Sequence, residues 1–228
     1  MGVPINLDFS EINSKTTLPN NLGRFNISID QLDVCPNRII CLTEETTETL
    51  YLLGEESRIV GVSGYTVRPK EARSKPRVSG FTHANLEKIE RLKPDIVLAF
   101  SDLQADITRD LIKKGLTLLT FNQRSINGIF EMIQTLGNLV GKEKKARKLV
   151  NQIFVGLADI QASARSFPRR PRVFFEEWEN PLISGIQWVE ELVELAGGVP
   201  IFPELSQKQL GKDRIVDPKK VISRDPEV

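Results

Sequence analysis

Apolar residues in this chain fall into short unbroken runs separated by polar stretches with helical spacing. RIICL from Arg38, RIVGV from Arg58, IVLAF from Ile96 and LTLLTF from Leu116 are β-rich and largely continuous, the pattern of strands buried on both faces. Between the first two runs, Thr43 or Thr46 offers a helix cap, acids crowd the first turn and Gly54 supplies the stop. Leu86, Ile89 and Leu92 share one face of a short helix, and Pro94 disfavours helical geometry at Lys93, so that helix must end there. DLQADITRDLIKKG, with Gly115 just past its end, is another helix. This alternation predicts a doubly wound parallel sheet over about 38–122.

The pattern changes after residue 124. Ile126, Ile129, Phe130, Ile133, Leu136 and Val140 keep helical spacing, and after Gly141 the spacing resumes from Ala146 to Ile160. So long a helical stretch suits a connector between lobes better than a crossover within one sheet. A second α/β series follows: RVFFEE as a strand, PLISG as a strand or turn, and QWVEELVELAGG as a helix. Asp217-Pro218 opens a short helix as cap and first residue. That helix leads to DPEV, the counterpart of KPDIV at Lys93–Val97. The expected organisation is an N-terminal extension over 1–37, an α/β lobe over 38–124, a connecting helix over 125–166 and a partial α/β lobe over 167–228. The second lobe is expected to be incomplete, because Val228 would stand only at the start of a strand.

Composition narrows the function. Lys+Arg 31 against Asp+Glu 30 provides no bulk attraction for nucleic acid or an anionic membrane. No apolar run approaches the roughly 18 residues of a membrane span. The first 35 residues lack the basic start and apolar stretch of a secretory signal, so the sequence as written suggests a cytoplasmic protein. Cys35 and Cys41 match no metal motif, and a bridge between them would need a sharp reversal of a strand.

The segments RIICLTEETTETLYLLG, RIVGVSGY, KPRVSGFTHANLEKIERLKPDIVLAF, LGNLVGKEKKARKLV, RPRVFFEEW and ELAGG, in this order and spacing, carry a family resemblance. From about 38 to 228 the chain resembles the helical-backbone solute-binding proteins of ABC importers, in their cobalamin-binding and iron-chelate-binding branch. The resemblance implies two Rossmann-like lobes, a ligand cleft between them and an extracytoplasmic place of action. It implies a cobalamin or ferric-chelate ligand and no prosthetic group. It also implies aromatic cleft residues, matched by Tyr65, Phe81, Phe100 and Trp178; their alternative role is to plug the lobes' own cores. Trp188 falls within a helical pattern and is assigned to the core. Family members carry an acid on each lobe that meets arginines of the permease. The first matches Glu87, which also suits a helix start by its charge; the second position holds Lys219, which would repel an arginine and weaken docking.

Two acidic pairs stand at strand ends: Glu44 with Glu45, and Glu176 with Glu177. They can face the cleft from opposite walls and meet a cation, a hydroxyl-rich chelate or a metal, or they can serve a helix start and the solvent. His83 lies in a loop near the same place and is either an exposed polar residue or a ligand contact, even to cobalt. No calcium-loop spacing, nucleophile elbow or phosphate loop is present, so neither a protein-held metal nor catalysis is expected. Capture for an importer is the leading expectation, and a cytoplasmic sensor or carrier of the same fold is the alternative.

Overall fold

The computed structural model describes residues 35–228. The extension assigned to 1–37 therefore lies, up to residue 34, outside the described residues. In the first lobe, strands β1 (Ile39–Cys41), β2 (Ile59–Ser63), β3 (Arg77–Ser79), β4 (Ile96–Phe100) and β5 (Leu118–Phe121) form one parallel sheet in the order β3-β2-β1-β4-β5. Helices α1 (Glu44–Leu52), α2 (Leu86–Arg91) and α3 (Ala105–Lys113) make the crossovers.

The continuous apolar runs are explained by burial on both faces. Ile39 and Cys41, with Ile96 and Leu98, face one core together with Leu50 of α1. The intervening Ile40 and Leu42, with Val97 and Ala99, face a second core with Ile89 of α2 and Leu111 of α3. Alternate side chains thus serve opposite layers, as a strand's period of two requires. At about 25 cal/mol per Å² of apolar surface, each buried Ile or Leu contributes roughly 2–3 kcal/mol.

The helical stretch after residue 124 is two helices, α4 (Ile126–Leu139) and α5 (Glu143–Ala164). Gly141 adopts φ 69°, a left-handed conformation that glycine alone takes without strain, and the Lys142 amide donates to the Gly137 carbonyl at 2.6 Å. Met132, Ile133 and Leu136 bury α4 in the first lobe's core. α5 buries only Ala146 among its own residues and leads to the second lobe. The connecting stretch, expected as helical with an interruption at Gly141, is thus a jointed pair with the joint at that glycine.

In the second lobe, β6 (Arg172–Val173) pairs in parallel with β9 (Val199–Pro200), and β7 (Glu176–Trp178) pairs antiparallel with β8 (Ile183–Ser184). Helices α6 (Gln187–Leu195), α7 (Pro203–Ser206) and α8 (Pro218–Arg224) accompany them. RVFFEE, expected as one strand, is broken at its two phenylalanines. The Phe174 amide donates to the Val228 carbonyl at 2.8 Å, and its ring meets Phe202 edge-on with centroids 5.8 Å apart. Isoleucine 201, Phe202 and Val216 complete this small core.

The two lobes repeat one clasp. Arg38 donates through its guanidinium to the carbonyls of Leu92 and Lys93 at the end of α2, and its amide donates to the Asp95 carboxylate at 2.8 Å. Arg172 donates likewise to the Asp225 carbonyl at the end of α8, and its amide to the Glu227 carboxylate at 2.9 Å. Lys93 and Asp225 both precede proline, and both take a left-handed turn, at φ 45° and 47°. α2 stops before Pro94 as the sequence predicts, and Lys93, just before the proline, turns left-handed with its carbonyl held by the arginine.

Candidate functional site

Strand order in the first lobe reverses between β1 and β4, and in open α/β sheets the crevice at the carboxyl ends beside such a reversal is where ligands bind. A cavity of about 630 Å³ opens there. Its first-lobe wall comes from residues at or just after strand ends: Thr43 and Glu45 after β1, Phe81 after β3, Phe100 ending β4 and Gln123 after β5. Ile129 and Met132 of α4 form its base. The second lobe supplies Phe175, Glu176 and Glu177 after β6, and Ile186, Trp188 and Val189 at the start of α6.

A buried glutamine ties three of these strand ends together. Gln104 is inaccessible to solvent. Its amide nitrogen donates to the carbonyls of Leu42 (3.2 Å) and Phe81 (3.1 Å), and its oxygen accepts from the Phe100 amide (3.0 Å). Just beyond Phe100, Ser101 sits at φ 52° and ψ −174°, a conformation that costs a non-glycine residue about 1–3 kcal/mol. Hydrogen bonds hold it: its amide donates to the Phe121 carbonyl at 2.7 Å, and its hydroxyl accepts from the Leu103 amide at 3.2 Å. The sharp turn leaves the Phe100 ring at the cavity, with the Arg124 guanidinium 5.0 Å from its centroid.

The acids divide by environment. Burial pushes the Glu45 carboxyl above the usual range; its own backbone amide, Thr43 and Gln123 oppose the shift, while Glu44 adds to it. Gln123 donates its side-chain nitrogen to Glu45 at 3.0 Å. Glu177 is paired with both terminal nitrogens of Arg214, a guanidinium only 2% exposed that also donates to the Ser184 carbonyl at 2.6 Å. Burial lifts Glu190 behind this pair to about 7; Glu194 adds to the shift and Arg214 opposes it.

Of the residues singled out from sequence, Glu45, Phe81, Phe100, Glu176 and Glu177 come together at the cavity. Glu44 does not line it; it begins α1 with one carboxylate oxygen buried. Tyr65 and His83 share a different hollow of about 410 Å³ with Arg77, Ser79 and Asn85, because the turn after β2 carries Tyr65, and the turn after β3 carries His83, to the β3 side of the sheet. Trp178 is 63% exposed, with its indole nitrogen donating to the Asn180 carbonyl at 3.2 Å within its own hairpin. Trp188, assigned to the core, instead lines the cavity, since the first turn of α6 faces the other lobe. Gln104, Gln123, Phe175 and Arg214 were not singled out. For Phe175 a signal existed: alternation along RVFF sends Phe174 inward and its neighbour the other way.

The lobes also touch directly. The Trp188 amide donates to the Arg124 carbonyl at 3.0 Å, and Glu191 of α6 accepts the Ile126 amide at the start of α4 at 2.7 Å. Among the described residues no helix is long and apolar enough to cross a membrane, and no cluster of His, Cys, Asp or Glu could hold a metal ion.

In sequence, the chain is 35% identical over 152 residues to an uncharacterized ABC transporter substrate-binding lipoprotein of Bacillus subtilis, covering 64% of this chain and 48% of that protein. It thus spans about half the length of that curated relative. In structure, it matches a periplasmic vitamin B12-binding protein of Vibrio cholerae with a TM-score of 0.71 and 27% identity, over 85% of this chain and 75% of that one. A possible iron-binding periplasmic solute-binding protein of Staphylococcus epidermidis matches with a TM-score of 0.71 and 25% identity, over 85% and 76%. Both are larger, so relative to them the second lobe here is partial. Residues 39–228 match the model for periplasmic binding proteins, and the chain belongs to that family.

Proposed function

We propose that this protein captures a broad, flat ligand, a corrinoid or a ferric chelate, for delivery to an ABC importer, and performs no chemistry on it. The observation that carries this is the cavity at the sheet's reversal point, walled by Phe81 and Phe100 from one lobe and Phe175 and Trp188 from the other. Flat apolar faces suit such rings, and few polar groups are needed to orient the guest. Names of similar proteins, vitamin B12-binding and iron-binding, point to the same ligand classes. Titration with cyanocobalamin, dicyanocobinamide, haemin and ferric siderophores, followed by tryptophan fluorescence, tests the proposal. A saturable response to one of them supports it, and silence with all of them removes it.

Permease docking belongs to the same proposal. Glu87 is the second residue of α2 and stands well out in solvent; Lys219 is the second residue of α8 and is also exposed. The repeated clasps make these equivalent positions, so the two lobes offer a permease opposite charges. Docking is expected to rest on Glu87, with Lys219 weakening the second contact. Such a role also places the protein outside the cytoplasmic membrane. Fractionation of native cells tests that, and recovery in the cytosol would argue for a carrier without an importer.

A further inference from the structure

Resting on the capture function proposed above, we infer that the cavity selects ligands whose rim donates hydrogen bonds through neutral amides and rejects those whose rim carries free carboxylates. Three carboxylates line it, Glu45, Glu176 and Glu177, and no lysine, arginine or histidine does. The two cations nearby are already engaged. Both terminal nitrogens of Arg214 are taken by Glu177 and the Ser184 carbonyl, and its Nε, which has no partner, is buried away from solvent. Arg124 donates to Asn122, to the Gln209 carbonyl and to Asp102, with its face against the Phe100 ring. Once these pairs are set aside, Glu45 and Glu176 face the guest without a cationic partner from the lining.

A second observation points the same way. Gln123 turns its nitrogen toward Glu45, which fixes its amide so that the oxygen is left as an acceptor; that oxygen is buried and has no hydrogen-bond partner. Gln123 lines the cavity, so a small turn of its amide brings that acceptor to an N–H or O–H of the guest, and it gains nothing from an anion. Glu45 is partly buried while Glu176 is exposed, so the larger cost of a like charge on the guest falls at Glu45, where water screens it least. Macrocycles with the same ring are therefore sorted by what decorates their edge.

The test uses matched pairs on two scaffolds, so that it does not depend on which ring the protein prefers. Dicyanocobinamide is compared with dicyanocobyric acid, which carries a carboxylate in place of one amide, and haemin is compared with its bisamide. Equilibrium titration of the full chain is expected to give at least about tenfold tighter binding for the amide member of the pair that binds. Glu45→Gln and Glu176→Gln should each narrow that ratio and together nearly abolish it, with circular dichroism confirming that the variants fold. Equal affinities, or a tighter carboxylate member, overturn the charge selection and leave the capture function standing. Absence of binding by all four compounds overturns both.

Discussion

Asp95 accepts the backbone amide of Arg38 at 2.8 Å, joining residues 57 positions apart and setting where the first strand begins. The same carboxylate accepts the Asn37 amide at 2.7 Å. Replacing it by alanine removes two charge-assisted hydrogen bonds at an exposed site. Asp95→Ala should lower stability by about 1 kcal/mol in urea denaturation, and the loss should be smaller in Asp95→Asn, which retains an acceptor.

Gln104 has a larger effect because it is wholly buried and serves three strand ends at once. Gln104→Leu keeps the volume and strands the Phe100 amide and two carbonyls. A loss of about 2–4 kcal/mol is expected, together with weaker ligand binding, because Phe81 and Phe100 lose their common tie. Unchanged affinity in a folded variant would separate this residue from the cavity.

Glu190 makes stability depend on pH. Its folded value, about 7, lies above the ordinary 4.5, so the folded state holds the proton more tightly than the unfolded chain. Stability should therefore fall as pH rises from about 4.5 to 7 and level off above that. Glu190→Gln should remove this slope and gain up to about 2–3 kcal/mol at pH 8, with little gain at pH 4.5. Denaturant midpoints across that range check the sign.

The joint between α4 and α5 depends on a close approach: a Cβ on Gly137 would collide with that of Ala146. Gly137→Ala should destabilise by about 1–3 kcal/mol, outweighing the helix-propensity gain of about 1 kcal/mol. Ala146→Gly in the same chain should restore part of the loss, which a double-mutant cycle would show.

Much of the first lobe is legible from sequence because its strands are buried on both faces and its helices end at Gly54, Gly115 and Pro94, signals that act locally. Even the repeated proline–acid turn can be seen in KPDIV and DPEV. The site is less legible. Glu45 follows from the rule that ligands gather at strand ends, and Phe81 and Phe100 from the family resemblance, yet the resemblance equally proposed Tyr65, and nearness to the cleft His83, which the turns after β2 and β3 carry into a separate hollow instead. Trp188 was misassigned because helical spacing reveals an apolar face without revealing whether a core or a cavity covers it. Gln104 and Arg214 are polar residues whose importance comes from burial among distant carbonyls and carboxylates, which no neighbouring residue announces.

Where α6 meets the start of α4, Glu191 and the Trp188 amide fasten one lobe to the other beside the cavity. Opening along that seam would expose the Ile126 amide and leave the Arg124 carbonyl without its donor. The fastened edge therefore behaves as a door's jamb, and a guest is expected to enter and leave from the opposite side.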